Sequence, residues 1–169
     1  MTFGSLQQAV PEWSMDLFIE AARLADCRAI IQTSSARYPA ETQQGKLFFI
    51  GRHPHQPLFQ HCAAVVHHGG AGTSHAATLS CCPSVVVPFM DEQLYWACQL
   101  QKANIAPAPL PAKKVTAKKL AGRLQAVLYS AYADEMWDFA QAAKQAISPT
   151  QGVANAIALI ESVACIKKP

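Results

Sequence analysis

The sequence has no run of about 20 apolar residues, the length that a helix needs to cross a bilayer, so it predicts no transmembrane segment. Its first residues lack the basic start and the long apolar core of a signal peptide, and we therefore expect a cytoplasmic protein. Only 15% of the 169 residues are charged, yet 51% are hydrophobic. This balance excludes a disordered chain and is typical of a globular domain.

The chain also has little of what nucleic-acid binding requires. Its net charge is only +3 and aromatic residues make up 8% of it. Much of the positive charge lies in one segment, at Lys113, Lys114, Lys118 and Lys119, with no aromatic residue between these lysines. Such a group is typical of a solvated helix start, and we expect no nucleic-acid partner.

Spacings typical of metal sites and of acyl-transfer sites are missing as well. The six cysteines and six histidines form no C-x-x-C or H-x-x-x-H pattern, so a metal site is a weak alternative and the cysteines are most simply buried hydrophobes. The His-Gly-Gly run at 68–70 is similar to an esterase oxyanion-hole motif, but no G-x-S-x-G elbow accompanies it. We expect neither a metal nor any other cofactor.

Apolar runs alternate with segments of helical period, which indicates an α/β domain over residues 1–169 with a Rossmann-like parallel sheet and helices on both faces. The predicted strands are 1–3, 28–33, 47–50, 63–66 and 84–87. The predicted helices are 12–25, 73–79, 92–102 and 132–143, with two more that begin after caps at Thr116 and Thr150. The helix over 132–143 is expected to pack Trp137 and Phe139 on the sheet. Two prolines predict a loop over 52–57.

The run Val65 to Thr73, Val-Val-His-His-Gly-Gly-Ala-Gly-Thr, is the most informative part of the chain. A buried strand there enters a glycine-rich turn and then a helix, a geometry that directs bare backbone N–H groups and a helix N-terminus at an anion. Because the turn follows a strand, as do 4–5, 51–57 and 88–93, all four segments should meet at one edge of the sheet. The sequence therefore predicts a diphosphate site at that edge.

Four segments in the correct order resemble the C-terminal half of a GT-B glycosyltransferase, most closely the nucleotide-sugar-dependent family that glycosylates sterols, macrolides, glycopeptides and plant metabolites. They are HPHQPLF at 53–59, VVHHGGAGTSHAA at 65–77, PSVVVPFMDEQLYWA at 83–97 and APAPLPAKKVTAKKLA at 106–121. The resemblance implies one half of a GT-B fold that binds a UDP- or dTDP-hexose.

The resemblance also implies a role for individual residues. It assigns diphosphate binding to Gly4, Ser5, His67, His68, Gly69, Gly72 and Thr73. It assigns the base and ribose to Arg52, His53, His55 and His75, and the sugar to Glu92 and Gln93. Arg52 stands where many members have a stacking tryptophan, Glu92 replaces the usual aspartate, and Cys81 stands where the family has a glycine suited to a left-handed helix cap.

Simpler interpretations remain for these residues. The paired histidines can be structural, Glu92 and Gln93 can merely begin a helix, and Arg52 and His55 can be solvated surface. Tyr95 and Trp96 are expected to be packing residues rather than stacking platforms.

The N-terminal acceptor half of the family has no counterpart in the sequence, so we expect no catalytic residue here and no transfer by this chain alone. Three functions follow: a donor half that works with a separate acceptor-binding subunit, a stand-alone nucleotide-sugar binding module, or an inactive truncated remnant. The uncovered interdomain face predicts either such a partner or a homo-oligomer.

Overall fold

The computed structural model describes residues 1–2, 13–147 and 149–165. Its strands are β1 (Ala29–Gln32), β2 (Thr42–Gln44), β3 (Leu47–Ile50), β4 (Val65–His67) and β5 (Ser84–Val86). Its helices are α1 (Trp13–Leu24), α2 (His55–Phe59), α3 (Ala71–Leu79), α4 (Asp91–Lys102), α5 (Ala117–Tyr129), α6 (Ala133–Ala146) and α7 (Pro149–Cys165), with a 3₁₀ turn at Ala112–Lys114.

The strands form two parallel groups that the first two residues join. β1 pairs with β3 and β4 pairs with β5, both in parallel register. The carbonyl of Met1 accepts from the Gln32 N–H, and the N–H of Thr2 donates to the carbonyl of Val66, so these residues lie between β1 and β4. The predicted parallel sheet is confirmed, with one addition: β2 is antiparallel to β3.

Helices cover both faces of the sheet. On one face, α1 and α5 bury Phe18 and Leu120 against Ile31 and Val85. On the other face, α2 and α3 enclose Val65, while α4 and α6 pack around Val86. Because side chains alternate along a strand, Val65 and His67 of β4 point to the same face and Val66 points to the opposite one.

Three helices end in the same way, each without a glycine. Asp26, Cys81 and Asn104 have φ angles of 50°, 52° and 56°, and each stands two positions past the last helical residue of α1, α3 or α4. In α3, the Cys81 N–H donates to the Thr78 carbonyl and the Cys82 N–H to the Ala77 carbonyl, the pattern of a Schellman motif. The left-handed cap expected at Cys81 is therefore confirmed.

Several local predictions were wrong. Residues 55–57 are not loop but begin α2, because Pro57 lies in the first turn, where a backbone N–H has no intrahelical acceptor. Thr150 is not a cap, since α7 already begins at Pro149. Trp137 and Phe139 are 52% and 45% exposed, because α6 turns Ala140 inward instead. Thr116 does cap α5, accepting from the Lys119 N–H at 3.2 Å.

No helix in the described part of the chain is both long enough and apolar enough to span a membrane.

Candidate functional site

The turn between β4 and α3 depends on a glycine at position 69. Gly69 has a φ of +92°, which L side chains rarely adopt. A β-carbon there would also stand 2.7 Å from the backbone oxygen of Gln93 and 2.9 Å from Cγ1 of Val86. The glycine therefore allows this turn to lie directly against the turn that follows β5.

His67 is fully buried at the end of β4. Its Nδ1 accepts from the Gly69 N–H at 3.0 Å, so a neutral ring carries its proton on Nε2. Burial lowers the pKa of His67 to about 3, and the nearby charges of His68 and His55 act in the same direction. The ring is therefore neutral at ordinary pH and helps to shape the turn. Its predicted contact with the diphosphate stays a prediction, and it requires that the ring become accessible when ligand arrives.

His68 packs against the start of α3. Its side chain is 5% exposed, and its ring occupies the space beside Gly70 that any β-carbon at position 70 would fill. Burial lowers the pKa of His68, as does the charge of His55, whereas the charge of Glu92 raises it. His55, His68 and Glu92 follow β3, β4 and β5, so each belongs to a segment at the carboxyl end of a strand.

Helix α3 begins at Ala71 with its first turn open to an anion. Gly70 precedes it and supplies no side-chain cap, and the first intrahelical bond runs from the Ser74 N–H to the Gly70 carbonyl. The N–H groups of Ala71, Gly72 and Thr73 therefore have no intrahelical acceptor, and Ala71 and Gly72 are exposed. This geometry suits a phosphate group.

Buried side-chain polar atoms that have no hydrogen-bond partner are concentrated in residues 67–74, which form the end of β4, the glycine-rich turn and the start of α3. Among the described residues, four such side-chain atoms occur, and three belong to this segment: His67 Nε2, His68 Nδ1 and Ser74 Oγ. Leaving a buried polar group unpaired costs about 1–3 kcal/mol, so such groups usually have a functional or ligand-related explanation. The clustering marks this turn, rather than another part of the chain, as the candidate site.

The turn after β5 is held by Gln93. Its side chain is 2% exposed, and its Oε1 accepts from the Phe89 N–H at 2.8 Å, four residues back across the start of α4. Glu92 is exposed beside it and accepts from the indole N–H of Trp96 at 2.9 Å. The two predicted sugar-binding residues thus differ: one amide oxygen is already engaged, and one carboxylate faces solvent.

The loop after β3 presents the predicted base-binding residues. Arg52 and His53 are exposed, while His55 is half-buried and stacks on Phe59 with ring centroids 5.1 Å apart. Burial lowers the pKa of His55. His53 and His55 line a cavity of about 710 Å³ that also borders β1 and β3. His53 and His55 therefore border one cavity on the side of α2.

His75 does not line the cavity that His53 and His55 border. It is exposed on α3 and lines a second cavity of about 500 Å³ between α3, α4 and α6, together with Gly72, Ser74 and Trp96. Of the predicted base and ribose residues, His53 and His55 thus line one cavity and His75 lines the other, while Arg52 lines neither of the two. Gly4 and Ser5 lie outside the described residues. In the parts of the chain that the structure describes, no three of His, Cys, Asp and Glu are arranged to hold a metal ion.

Three residues of the site were missed from the sequence: Gly70, Ser74 and Trp96. The spacing of Trp96, one helical turn after Glu92, was the available signal for the third. Gly70 matters because the His68 ring packs beside it, and Ser74 matters because its hydroxyl group is buried without a partner. Neither feature can be predicted from a local sequence pattern.

Comparison with known families gives one match that covers most of the chain. The family described as "Erythromycin biosynthesis protein CIII-like, C-terminal domain" matches residues 14–159.

Among curated proteins, a sterol 3-beta-glucosyltransferase of Arabidopsis thaliana is 28% identical over 158 residues, which is 92% of this chain and 25% of that protein. The vancomycin aglycone glucosyltransferase of Amycolatopsis orientalis is 35% identical over 112 residues, or 64% of this chain and 27% of the relative. The chain therefore spans about a quarter of the length of these two relatives.

Solved structures agree with the fold. The glycotransferase of kitacinnamycin superimposes with a TM-score of 0.72 at 21% identity, over 92% of this chain and 41% of the other. The structure of LpCGTa in complex with UDP gives 0.68 at 16% identity, over 85% of this chain and 35% of that one. The fold is that of one half of a GT-B glycosyltransferase, as the sequence predicted.

Proposed function

Because the chain belongs to the erythromycin biosynthesis protein CIII-like C-terminal domain family of glycosyltransferases, we propose that it binds a nucleoside-diphosphate sugar in the turn between β4 and α3. The observation that carries this proposal is the convergence of an uncapped helix N-terminus with three buried, unpartnered polar atoms in residues 67–74. An anion in this turn receives hydrogen bonds from the free N–H groups and is favoured by the helix dipole.

We assign the diphosphate to the N–H groups at the start of α3, including those of Gly72 and Thr73, supported by His68. The base then lies toward Arg52, His53 and His55 on the α2 side, and the sugar lies toward the turn that contains Glu92. Two observations support this arrangement: Gly69 lies against the backbone of Gln93, and the loop with Arg52, His53 and His55 follows the carboxyl end of β3. UDP and dTDP donors both fit the proposal.

In a transfer reaction, this arrangement stabilises the negative charge that develops on the leaving diphosphate. An inverting transfer also requires a base that deprotonates the acceptor hydroxyl, and we assign none of the described residues to that role. We therefore propose that the chain supplies the donor half of the reaction and that the acceptor and its base belong to another half. We further propose that donor binding needs no metal ion, so excess chelator should leave the affinity unchanged.

The exposed apolar residues of α7 support the proposal of a surface that binds a partner chain. The large apolar side chains of this helix are between 51% and 68% exposed: Val153, Ile157, Leu159, Ile160 and Val163. Exposed apolar surface of this kind marks an association site, with either an acceptor-binding subunit or another copy of the chain. Light scattering of the purified chain at low concentration tests the second case. A mass of two or more chains would support self-association through α7, and a monomer would exclude it.

Nuclear magnetic resonance of the ¹⁵N-labelled chain tests the binding site. Titration with UDP-glucose, dTDP-glucose and GDP-mannose should shift the amide signals of residues 69–73 and leave those of α5 in place. Shifts confined to other regions, or no shifts with any of the three, would refute the proposed site. A transfer rate well above background for the isolated chain would refute the assignment to a donor half alone.

A further inference from the structure

The exposed carboxylate of Glu92 is held in place before any ligand arrives. One of its oxygens accepts from the indole N–H of Trp96 at 2.9 Å, one turn further along α4. The indole has a further contact, since Tyr95 meets it edge-on with ring centroids 5.4 Å apart at 78°, and it also borders the cavity beside Leu100. An exposed glutamate side chain without such a partner samples several rotamers.

Glu92 also stands beside the candidate diphosphate turn. The backbone of its neighbour Gln93 is in contact with Gly69, so the first turn of α4 lies against the candidate diphosphate turn. A group bonded to a diphosphate in that turn therefore lies near the start of α4, where this carboxylate is exposed. The bond to Trp96 occupies one carboxylate oxygen, and the second oxygen is left to accept from a ligand hydroxyl group.

We infer that Trp96 is a positioning residue for sugar recognition, holding Glu92 so that its second oxygen accepts from a hydroxyl group of the donor sugar. The inference rests on the proposed function and goes beyond it by naming what orients the sugar-binding carboxylate. Fixing the carboxylate in advance lowers the entropy cost of sugar binding. The Trp96 N–H bond ends on Glu92, which is assigned to the sugar, so we expect its loss to affect the sugar nucleotide and not the nucleotide alone.

Isothermal titration of the full 169-residue chain with UDP and with UDP-glucose tests this inference. Trp96→Phe keeps an aromatic ring and removes the N–H donor. We expect it to weaken UDP-glucose binding about five- to tenfold and to leave UDP binding within about twofold, as expected for loss of a hydrogen bond to a partly exposed charge. Tyr95→Phe is the matched control and should change neither affinity. In the Glu92→Ala background, Trp96→Phe should cause no further loss for UDP-glucose.

The indole signal of Trp96 gives a readout that needs no folded variant at this position. Trp137→Phe assists its assignment among the three tryptophans. UDP-glucose should shift the Trp96 Nε1–H signal, and UDP alone should not.

An equal loss of UDP and UDP-glucose binding in Trp96→Phe, or no loss at all, overturns the inference. An indole signal that responds equally to both ligands also overturns it. UDP-glucose binding no tighter than UDP binding in the unmodified chain overturns this inference alone and leaves the proposed function intact. Failure of the unmodified chain to bind UDP overturns both.

Discussion

The backbone oxygen of Gln93 lies so near Gly69 that a β-carbon on Gly69 would stand 2.7 Å from it. This contact joins the turn after β4 to the turn after β5, and thus the proposed diphosphate site to the proposed sugar site. Gln93 is fixed on its other side by the bond that its amide oxygen accepts from Phe89. The spacing between the two subsites is therefore set by the protein itself.

Replacing Gly69 by alanine should destabilise the fold by about 2–5 kcal/mol, since the change combines an unfavourable backbone conformation with overpacking against backbone atoms. Urea unfolding followed by circular dichroism measures this. Gly122→Ala is the matched control, because Gly122 is exposed within α5 and its β-carbon meets nothing within 4 Å. The unfolding free energy of the Gly122→Ala control should rise by about 0.5–1 kcal/mol. A Gly69→Ala variant as stable as the unmodified chain would contradict the contact.

Gly70→Ala tests the placement of His68. Gly70 has a φ of −62° and a ψ of 143°, which alanine adopts freely, so the backbone tolerates the change. The new methyl group takes the space of the His68 ring and displaces that side chain. We expect a folded variant whose affinity for UDP is about tenfold lower, measured by calorimetry. Unaltered UDP affinity would show that His68 has no part in binding.

The buried His67 predicts that stability falls in acid. Its pKa is about 3 in the folded chain against 6.5 for an unperturbed histidine, so between these values the unfolded chain binds a proton that the folded chain does not. The His67 contribution leaves the unfolding free energy at its full value above pH 6.5. Below pH 6.5 it lowers that free energy by about 1.4 kcal/mol per pH unit, which amounts to a loss of about 2 kcal/mol at pH 5.

His67→Asn tests this linkage, because the asparagine oxygen can still accept from the Gly69 N–H but does not titrate. Unfolding free energies of both chains at pH 7, 6 and 5 should show a shallower pH dependence in the variant. Some slope remains, because burial also lowers the pKa values of His68 and His55. Identical slopes in the two chains would exclude a neutral, buried imidazole at position 67.

Asn104→Gly should stabilise the chain. Asn104 is exposed and has a φ of 56° just past the end of α4, a conformation that glycine adopts with no β-carbon penalty. We expect a gain of about 0.5–1 kcal/mol in thermal unfolding, and a loss of about 1 kcal/mol for Asn104→Ala. If alanine were better tolerated than glycine, the Schellman ending of α4 would be incorrect.

Much of the fold could be predicted from the sequence because hydrophobic period, glycine and proline are local signals. The strands at 47–50 and 84–87 and the Thr116 cap follow from such signals, whereas the left-handed position at Cys81 was implied by the family resemblance. The antiparallel β2 could not be predicted, since Thr42–Gln44 is polar and pairs only through its hairpin to β3. The inward face of α6 was also missed, because tertiary packing selected Ala140 over the larger Trp137 and Phe139.

The sequence predicts where a site would lie but not the contacts within it, and the site itself stays a prediction. The glycine-rich turn and its order among the other segments placed the candidate residues at one edge of the sheet. The complete burial of His67, the bond between Trp96 and Glu92, and the separation of His75 from His53 and His55 depend on distant segments. Contacts of this kind come from side-chain packing, on which sequence period carries no information.

The most direct test of the central claim compares the affinities of the chain for UDP and for uridine by isothermal titration calorimetry. We predict a dissociation constant for UDP on the order of 0.1–1 mM, because only one half of the donor's surroundings is present, and binding of uridine at least about tenfold weaker. Equal affinities for the two ligands, or no measurable heat with UDP, would contradict a diphosphate site in the turn between β4 and α3.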